Sequence, residues 1–492
     1  MRVPDQRNAM FKILVKKEIT DAVLDLRFVI TTLLCLVLIP LGMYVSRRNY
    51  ERRQDAYQRE HQQYRQRYGT GVEIYTEAQG LRPPSVLSIF SSGVDPFLPD
   101  KMTTARSGLW RTIKQPSTDN PHSLLFGKAD LLFNVVFVLS LAAIILTFNS
   151  ISGEKESGTL ALMIANAVPR SRILLSKVVG SYVALLIPFT ISMLVSLIVL
   201  DLSPNVSILS REVWPAFLVI VAVTLVFLLG MVCLGLCLSA LTRHPMNSIV
   251  LALFVWAVLI LGVPKVSPML ASVLYPVESA SVYDLTRRLA AEDIDREMIE
   301  ERESLRERCF KEYGAPEEDI RTTSPRTEAG KQAKAAFEEQ FAPVEQRYER
   351  RLADELRRID QDYAHRRQVQ SSIATDMSRI SPICSYTYVV CGLCGTGTSA
   401  PDDFTANARR YQDQVKQAIY DKVVVRRWRA MQSYQYAPDF DPSKAVLPEM
   451  RYTYPTVAQA LQTGWADIVL LVLFDVLFCA LAFLGLSRYD VR

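Results

Sequence analysis

Apolar residues in this chain gather into six long runs, near positions 28–45, 131–148, 178–200, 214–240, 247–263 and 466–486. A helix needs about 20 mostly apolar residues to cross a bilayer. The run from Val178 to Leu200 carries no charge and is the clearest span. The runs at 214–240 and 247–263 are nearly as clean; the first two, about 18 residues each, sit at the short end of the range. One such run could be the core helix of a soluble domain. Six together predict an all-α membrane protein with six transmembrane helices.

The polar stretches between the runs have patterns of their own. In 1–27, Phe11, Ile13, Leu14, Ile19, Val23 and Leu24 alternate with Lys and Asp, which suits a helix lying in the membrane interface. The first run is too far from Met1 to be a cleaved signal, and Ser46-Arg47-Arg48 follows it instead of a small-residue site, so it reads as a retained anchor. Beyond Val45 no breaker occurs before Gly69, so the first span should continue as a polar helix. From Leu81 to Pro121, Pro, Ser and Gly dissolve the pattern.

The segment 264–465 predicts a mainly helical domain. One stripe runs through Leu285, Leu289, Ile294, Met298, Leu305 and Cys309, and stops at Gly314-Ala315-Pro316. A second runs through Phe337, Phe341, Val344, Tyr348, Leu352, Leu356, Ile359 and Tyr363, with Pro343 as a kink candidate. Together they suggest an antiparallel helical hairpin. A third helix is expected from Asp402 to Met431, through Phe404, Tyr411, Val415, Ile419 and Val423.

Charge sets the expected orientation. Lys and Arg cluster in 1–27, in the 149–177 loop (Lys155, Arg170, Arg172, Lys177), at Arg243 and in the tail (Arg488, Arg492). The short loop from Asp201 to Trp214 carries only Arg211. Basic residues favour the cytoplasmic side, so both termini and 149–177 are expected inside the cell inner membrane. The segments 46–130 and 264–465 are then extracytoplasmic, followed by the sixth helix and tail, 466–492. Long loops translocate largely regardless of charge, so the net charge of +5 gives no reason to invoke nucleic acid.

Catalytic chemistry is hard to find. Gly127-Lys128 and Gly330-Lys331 lack the upstream Gly and the following Ser or Thr of a phosphate loop. The four histidines, His61, His122, His244 and His365, form no ligand pair, and no metal site is expected. Cys391-Gly392-Leu393-Cys394 is a C-x-x-C, which chance, a structural disulfide, a redox pair or half a metal site could each explain. Asp475 stands in the middle of the sixth run, where a carboxylate costs several kcal/mol unless paired, hydrated or neutral. It faces either a translocation path or proton relay, or a neighbouring helix to which it hydrogen-bonds in protonated form.

The loop after the second run reads Phe148, a short spacer, Glu154 and Glu156, Gly158-Thr159-Leu160, then Pro169, Arg172 and Lys177. This resembles the loop that ABC-2-type permeases present to their ATPase. The ending Leu486-Ser487-Arg488-Tyr489-Asp490-Val491-Arg492 also resembles a subgroup with a large outer insertion before its last span. That subgroup includes the permease associated with multicopper-enzyme and nitrous oxide reductase maturation.

The resemblance implies a permease subunit that pairs with itself or with a related permease and docks a separate ATPase subunit. It implies no cofactor on this chain and ATP and Mg on the partner. The coupling helix would run roughly from Ser157 to Ala165. Glu154 and Glu156 would precede its positive end. Gly158 would allow a close backbone approach, and Leu160 and Leu162 would both offer apolar contact to the ATPase. The work done would be export or mechanical, with membrane lipid around the spans and an extracytoplasmic protein as a further partner for the outer domain. Two other classes compete: a non-transporting scaffold or sensor that binds a partner through its outer helices, and an ion-coupled carrier using Asp475.

Overall fold

The computed structural model describes residues 3–68, 78–104, 110–113, 129–166, 168–202, 213–320, 325–418, 423–428, 431–436 and 448–489. Six helices in it are long and apolar enough to cross a membrane. An N-terminal helix, Val3–Leu24, comes first. It breaks at Asp25, whose carboxylate accepts from the Arg27 amide at 3.0 Å and starts the next helix.

Span one, Leu26–Tyr68, is 43 residues long, or about 65 Å, twice the hydrocarbon thickness. Its far half is therefore the expected polar extension. Cys35, Ile39 and Met43, four residues apart, are fully buried, whereas Leu33, Val37 and Leu41 face outward, as a helix at the rim of a bundle should. Span two begins at Asp130, whose side chain caps the Phe133 amide, passes through a π turn at Asn134–Leu139 and continues as Ser140–Thr147.

Span three is Arg170–Asp201 and span four Val213–Leu241. Span five comprises Pro245–Ala257, a π turn at Val258–Gly262, and Val263–Leu274. Span six is Val457–Ser487, opened by a capping box between Thr456 and Gln459. Spans four and six run side by side in the same direction. Gly230 faces Asp475 and Gly485 faces Ala240, and the missing side chains let the two helices approach closely.

The polar insertion after span five is a hairpin of Ala280–Glu312 and the 51-residue Glu328–Ser378. The helix continues through Pro343. At the membrane end of the hairpin, Tyr283 donates to Asp360 at 2.7 Å and stacks on Tyr363. Farther out, Cys309, Phe337 and Phe341 form a small apolar core.

Three features depart from the sequence expectation. The third outer helix spans Ala400–Ala418 and stops well short of Met431. Beyond it lie two antiparallel strands, β4 (Val423–Trp428) and β5 (Met431–Tyr436). Val423-Val424-Val425 supplies β-branched residues that favour a strand over another helical turn. The irregular stretch after Leu81 contributes to a second sheet, in which β1 (Ala78–Leu81), β2 (Lys101–Thr104) and β3 (Trp110–Ile113) pair antiparallel in sequence order. Finally, Pro382–Leu393 is a short apolar helix, too short to cross a bilayer. It returns from the hairpin along spans four and six, where Tyr386 stacks on Phe227 at 4.5 Å and its hydroxyl lies 2.9 Å from Thr224 Oγ1.

Candidate functional site

At the end of the bundle away from the hairpin, the loop joining spans two and three folds into two short helices, Ser152–Glu156 and Thr159–Ala165. The chain turns between them at Gly158, whose φ of 73° is left-handed and favours glycine. A side chain there would meet nothing within 4 Å. Backbone conformation, not a neighbour in this chain, calls for glycine at this position.

The first short helix is tied down on several sides. Ser239 Oγ, at the end of span four, accepts from the amides of Ile151 at 3.0 Å and Ser152 at 2.9 Å. Lys155 Nζ donates to the carbonyls of Ala240 and, at 3.0 Å, Thr242. These are carbonyls at the C-terminal end of span four, where a cation is favoured. The Phe148 carbonyl accepts from Ser248 Oγ of span five at 2.8 Å, and the Arg27 guanidinium sits 4.6 Å above the Phe148 ring. Arg170 closes the far side of the loop by donating to Ser487 O and, at 3.2 Å, to Tyr489 O at the end of span six.

Glu154 and Glu156 part company. Glu154 turns inward, where Lys177 Nζ of span three lies 2.9 Å from its Oε1 and 3.0 Å from Glu18 Oε1 of the N-terminal helix. Lys177 is 1% exposed, so this is a buried cation between two carboxylates. Lys17 approaches the same Glu154 oxygen at 3.5 Å from the exposed side. Gly180, one turn along span three, lets the N-terminal helix come close, since a Cβ there would press on Glu18. Glu156 points outward and lies 3.3 Å from His244 Nδ1.

The leucines also divide. Leu162 is 65% exposed, whereas Leu160 is completely buried in the bundle core. The expectation that both would face a partner is corrected for Leu160: one helical turn cannot point two residues two apart in the same direction. The exposed edge of the loop consists of Glu156, Ser157, Thr159, Leu162, Ala165, Asn166 and Pro169. Thr159 and Ser157 hydroxyls lie 2.9 Å apart on it. Arg172 is half-buried at the start of span three.

The structure thus brings Glu154 and Lys177 together and adds Glu18, Lys155, Arg170 and Ser239, which the loop pattern did not single out. The signals were present but ambiguous. Glu18 interrupts an amphipathic helix, and Ser239 interrupts an apolar one.

The remaining candidates lie elsewhere. Asp475 is half-buried in span six, and among the described residues it makes no ion pair. Cys391 and Cys394 are free thiols in the structure, so no disulfide joins them. Both are buried at the end of the short apolar helix, with Cys391 Sγ 3.3 Å from Ser91 Oγ. Burial pushes the Cys391 thiol up to about 11, only partly offset by Ser91, which keeps it protonated and unreactive near neutrality. No group of three or more metal-ligating side chains occurs among the described residues.

Against this geometry the chain can be set beside known proteins. A family model described as ABC-2 family transporter protein matches residues 12–491. No curated protein matches the chain.

Proposed function

The chain belongs to the ABC-2 family of transporter proteins, and on that premise we propose that it is a permease subunit driven by a separate ATPase docked on the 149–177 loop. One observation carries the reading. The loop is fixed to the N-terminal helix and to spans three, four, five and six by buried and half-buried polar contacts, yet it keeps an unburied edge centred on Leu162. A closing ATPase pressing on that edge would move the anchored spans as rigid bodies, which suits export or mechanical work. ATP and Mg belong to the partner, and this chain contributes no nucleotide chemistry.

In this reading the permease pairs with a second copy or a related permease. The loop and both termini face the cytoplasm of the inner membrane, and the hairpin lies outside. Glu156, Ser157, Thr159 and Leu162 make first contact with the ATPase. Glu154 and Lys177 act behind them as positioning residues, holding the loop at a fixed height.

The test is Leu162→Asp in the full chain, co-expressed with the ABC ATPase that co-purifies with the unaltered chain. A desolvated charge at such a contact costs several kcal/mol, which converts to at least about a hundredfold weaker docking. Membrane insertion should be unchanged. Wild-type affinity for the ATPase would remove this loop as the docking site.

A further inference from the structure

Spans two and five each contain a π turn, and the two turns lie at the same end of a shared ladder. The Ser140 amide donates to Val135 O and the Val263 amide to Val258 O, five residues back instead of four. Such a turn widens the helix and marks a place where it bends. On the loop side of the turns, two hydrogen bonds join the helices. Ser248 Oγ donates to Phe148 O at 2.8 Å, and Trp256 Nε1 donates to Ser140 Oγ at 2.9 Å. These rungs are eight residues apart on both helices, from Ser140 to Phe148 and from Ser248 to Trp256. At the helical rise that is about 12 Å on each side. The two segments therefore run antiparallel and match in length. Their midpoints, Ile144 and Ala252, are both fully buried.

The π turns begin where the ladder stops. Asn134–Leu139 ends at Ser140, and Val258–Gly262 starts two residues after Trp256. Ser140 also donates to Val136 O, so the Trp256 rung reaches the backbone of the first turn. Beyond the turns, other parts of the chain hold the same helices. Asn134 Nδ2 donates to Leu38 O of span one at 3.3 Å. Asp130, at the head of span two, accepts from the Ser92 amide at 2.8 Å and its hydroxyl at 3.1 Å. Ser381 Oγ donates to Leu259 O, inside the second turn, at 2.9 Å. Gln370 of the hairpin donates to Tyr275 O, just past span five, at 2.8 Å. In the other direction the ladder runs straight into the loop, where Ser239 holds the amides of Ile151 and Ser152. One half of each helix is thus tied to the loop and the other to the hairpin side, with the π turns between.

We propose that 140–148 and 248–256 form one lever that swings with the loop about the paired π turns, an inference that rests on the ATPase docking proposed above. Ser140 and Trp256 are its positioning residues, because their bond keeps the two helices in step at the hinge. An unbroken α-helix would carry a displacement of the loop to the hairpin side as a rigid rod. A π turn takes it up locally while the hydrogen bonds on either side stay intact. A single turn would not serve, since the stiffer of two laddered helices would hold back the other. Turns beside the same rung let both bend at one level.

The experiment uses the full chain with the ABC ATPase that co-purifies with it. Hydrogen exchange is followed with and without a non-hydrolysable ATP analogue. The analogue should change exchange in 134–139 and 258–262 and leave 140–148 and 248–256 as they were. Trp256→Phe, which keeps an aromatic ring, should speed exchange in 140–148 and 248–256 by about fivefold, the scale of one buried hydrogen bond. It should also shrink the nucleotide response of 258–262 relative to that of 134–139, with ATPase docking unaltered. Adding Ser140→Ala should speed 248–256 no further, since both changes remove the same bond. Faster exchange in one helix only, or additive effects of the two changes on 248–256, would overturn the ladder. With the ATPase bound, a nucleotide response spread evenly along both spans, or absent from the π turns, would overturn the hinge and leave the docking site standing. An ATPase that binds Leu162→Asp as tightly as the unaltered chain would overturn the docking site, and with it the push on which the lever depends.

Discussion

The two ends of the bundle hold their charges in opposite ways. At the loop end, Lys177, Glu18 and Glu154 form a nearly dry cluster between three elements. On the hairpin, Arg347 meets Glu301 at 2.6 Å and Arg351 meets Glu297 at 2.5 Å, with all four side chains at least one-third exposed. The ligand atoms are similar; the surroundings are not. In water an ion pair exchanges one set of partners for another and adds little. In a buried site, each charge depends on its partner, because losing one leaves the other without water or counter-ion. The loop end is thus built so that its parts cannot separate cheaply. The hairpin takes its cohesion from the Tyr283–Tyr363 stack and from Cys309, Phe337 and Phe341.

The largest effect should come from Lys177→Met, which leaves Glu18 and Glu154 facing each other with only the half-exposed Lys17, 3.5 Å from Glu154, as a nearby cation. The expected loss is about 3–5 kcal/mol, local to the loop and the N-terminal helix. Hydrogen exchange should speed up in 10–24 and 149–166 together, and adding Glu18→Gln and Glu154→Gln should recover part of the protection. Unchanged exchange in either segment would show that the cluster does not bind them.

Next comes Leu160→Asp, where the contrast with Leu162 is sharpest. A carboxylate at this buried position costs several kcal/mol without compensation. The loop should lose its fold and the protein its thermal stability, whether or not an ATPase is present. A stable Leu160→Asp permease that only fails to dock would place Leu160 on the surface, against the structure.

A third prediction concerns the hairpin side, where one charge cluster is buried. Asp95 pairs with Arg82 at 2.5 Å and with Arg53, binding the extension of span one to the stretch around β1 and β2. Burial alone would raise Asp95, but Arg53 and Arg82 outweigh it and hold the carboxyl below its ordinary range. A carboxyl lowered by folding contributes stability above its unfolded value and loses it as pH falls through the folded one. Protection of 78–104 should therefore hold from neutral pH down to the ordinary carboxylate value, decline below it, and lose the Asp95 contribution fully only in stronger acid. Asp95→Asn should lower it at every pH. A loss already complete at mildly acidic pH would contradict the pairing.

The smallest effect belongs to Glu301→Gln. Its partner Arg347 is more than half exposed, so docking, insertion and melting temperature should stay within error of the unaltered chain. A clear drop in ATPase binding would mean that the hairpin communicates with the loop end through this pair.

Much of the architecture was readable from spacing alone. Six apolar runs became six spans, and the two stripes before and after Gly314 became the hairpin, since both periods report on which side of a helix avoids water. The third outer helix was read too long because Val423-Val424-Val425 fits a helical stripe and a strand equally well, and the partner strand decided between them. In the loop, Glu154, Gly158 and Lys177 were legible as a pattern. Their separate jobs were not.

The sequence by itself determined that this chain is an all-α membrane protein with six spans, and that its charged loop and its helical insertion are distinct regions. Those are properties of composition and period, which act locally along the chain. Only the tertiary structure decided that Glu154 turns in while Glu156 turns out, that Leu160 is core while Leu162 is surface, and that Glu18 completes the cluster 159 positions from Lys177. Each of those outcomes depends on what lies opposite the side chain, and for a buried charge or methyl group that neighbour comes from a distant part of the chain.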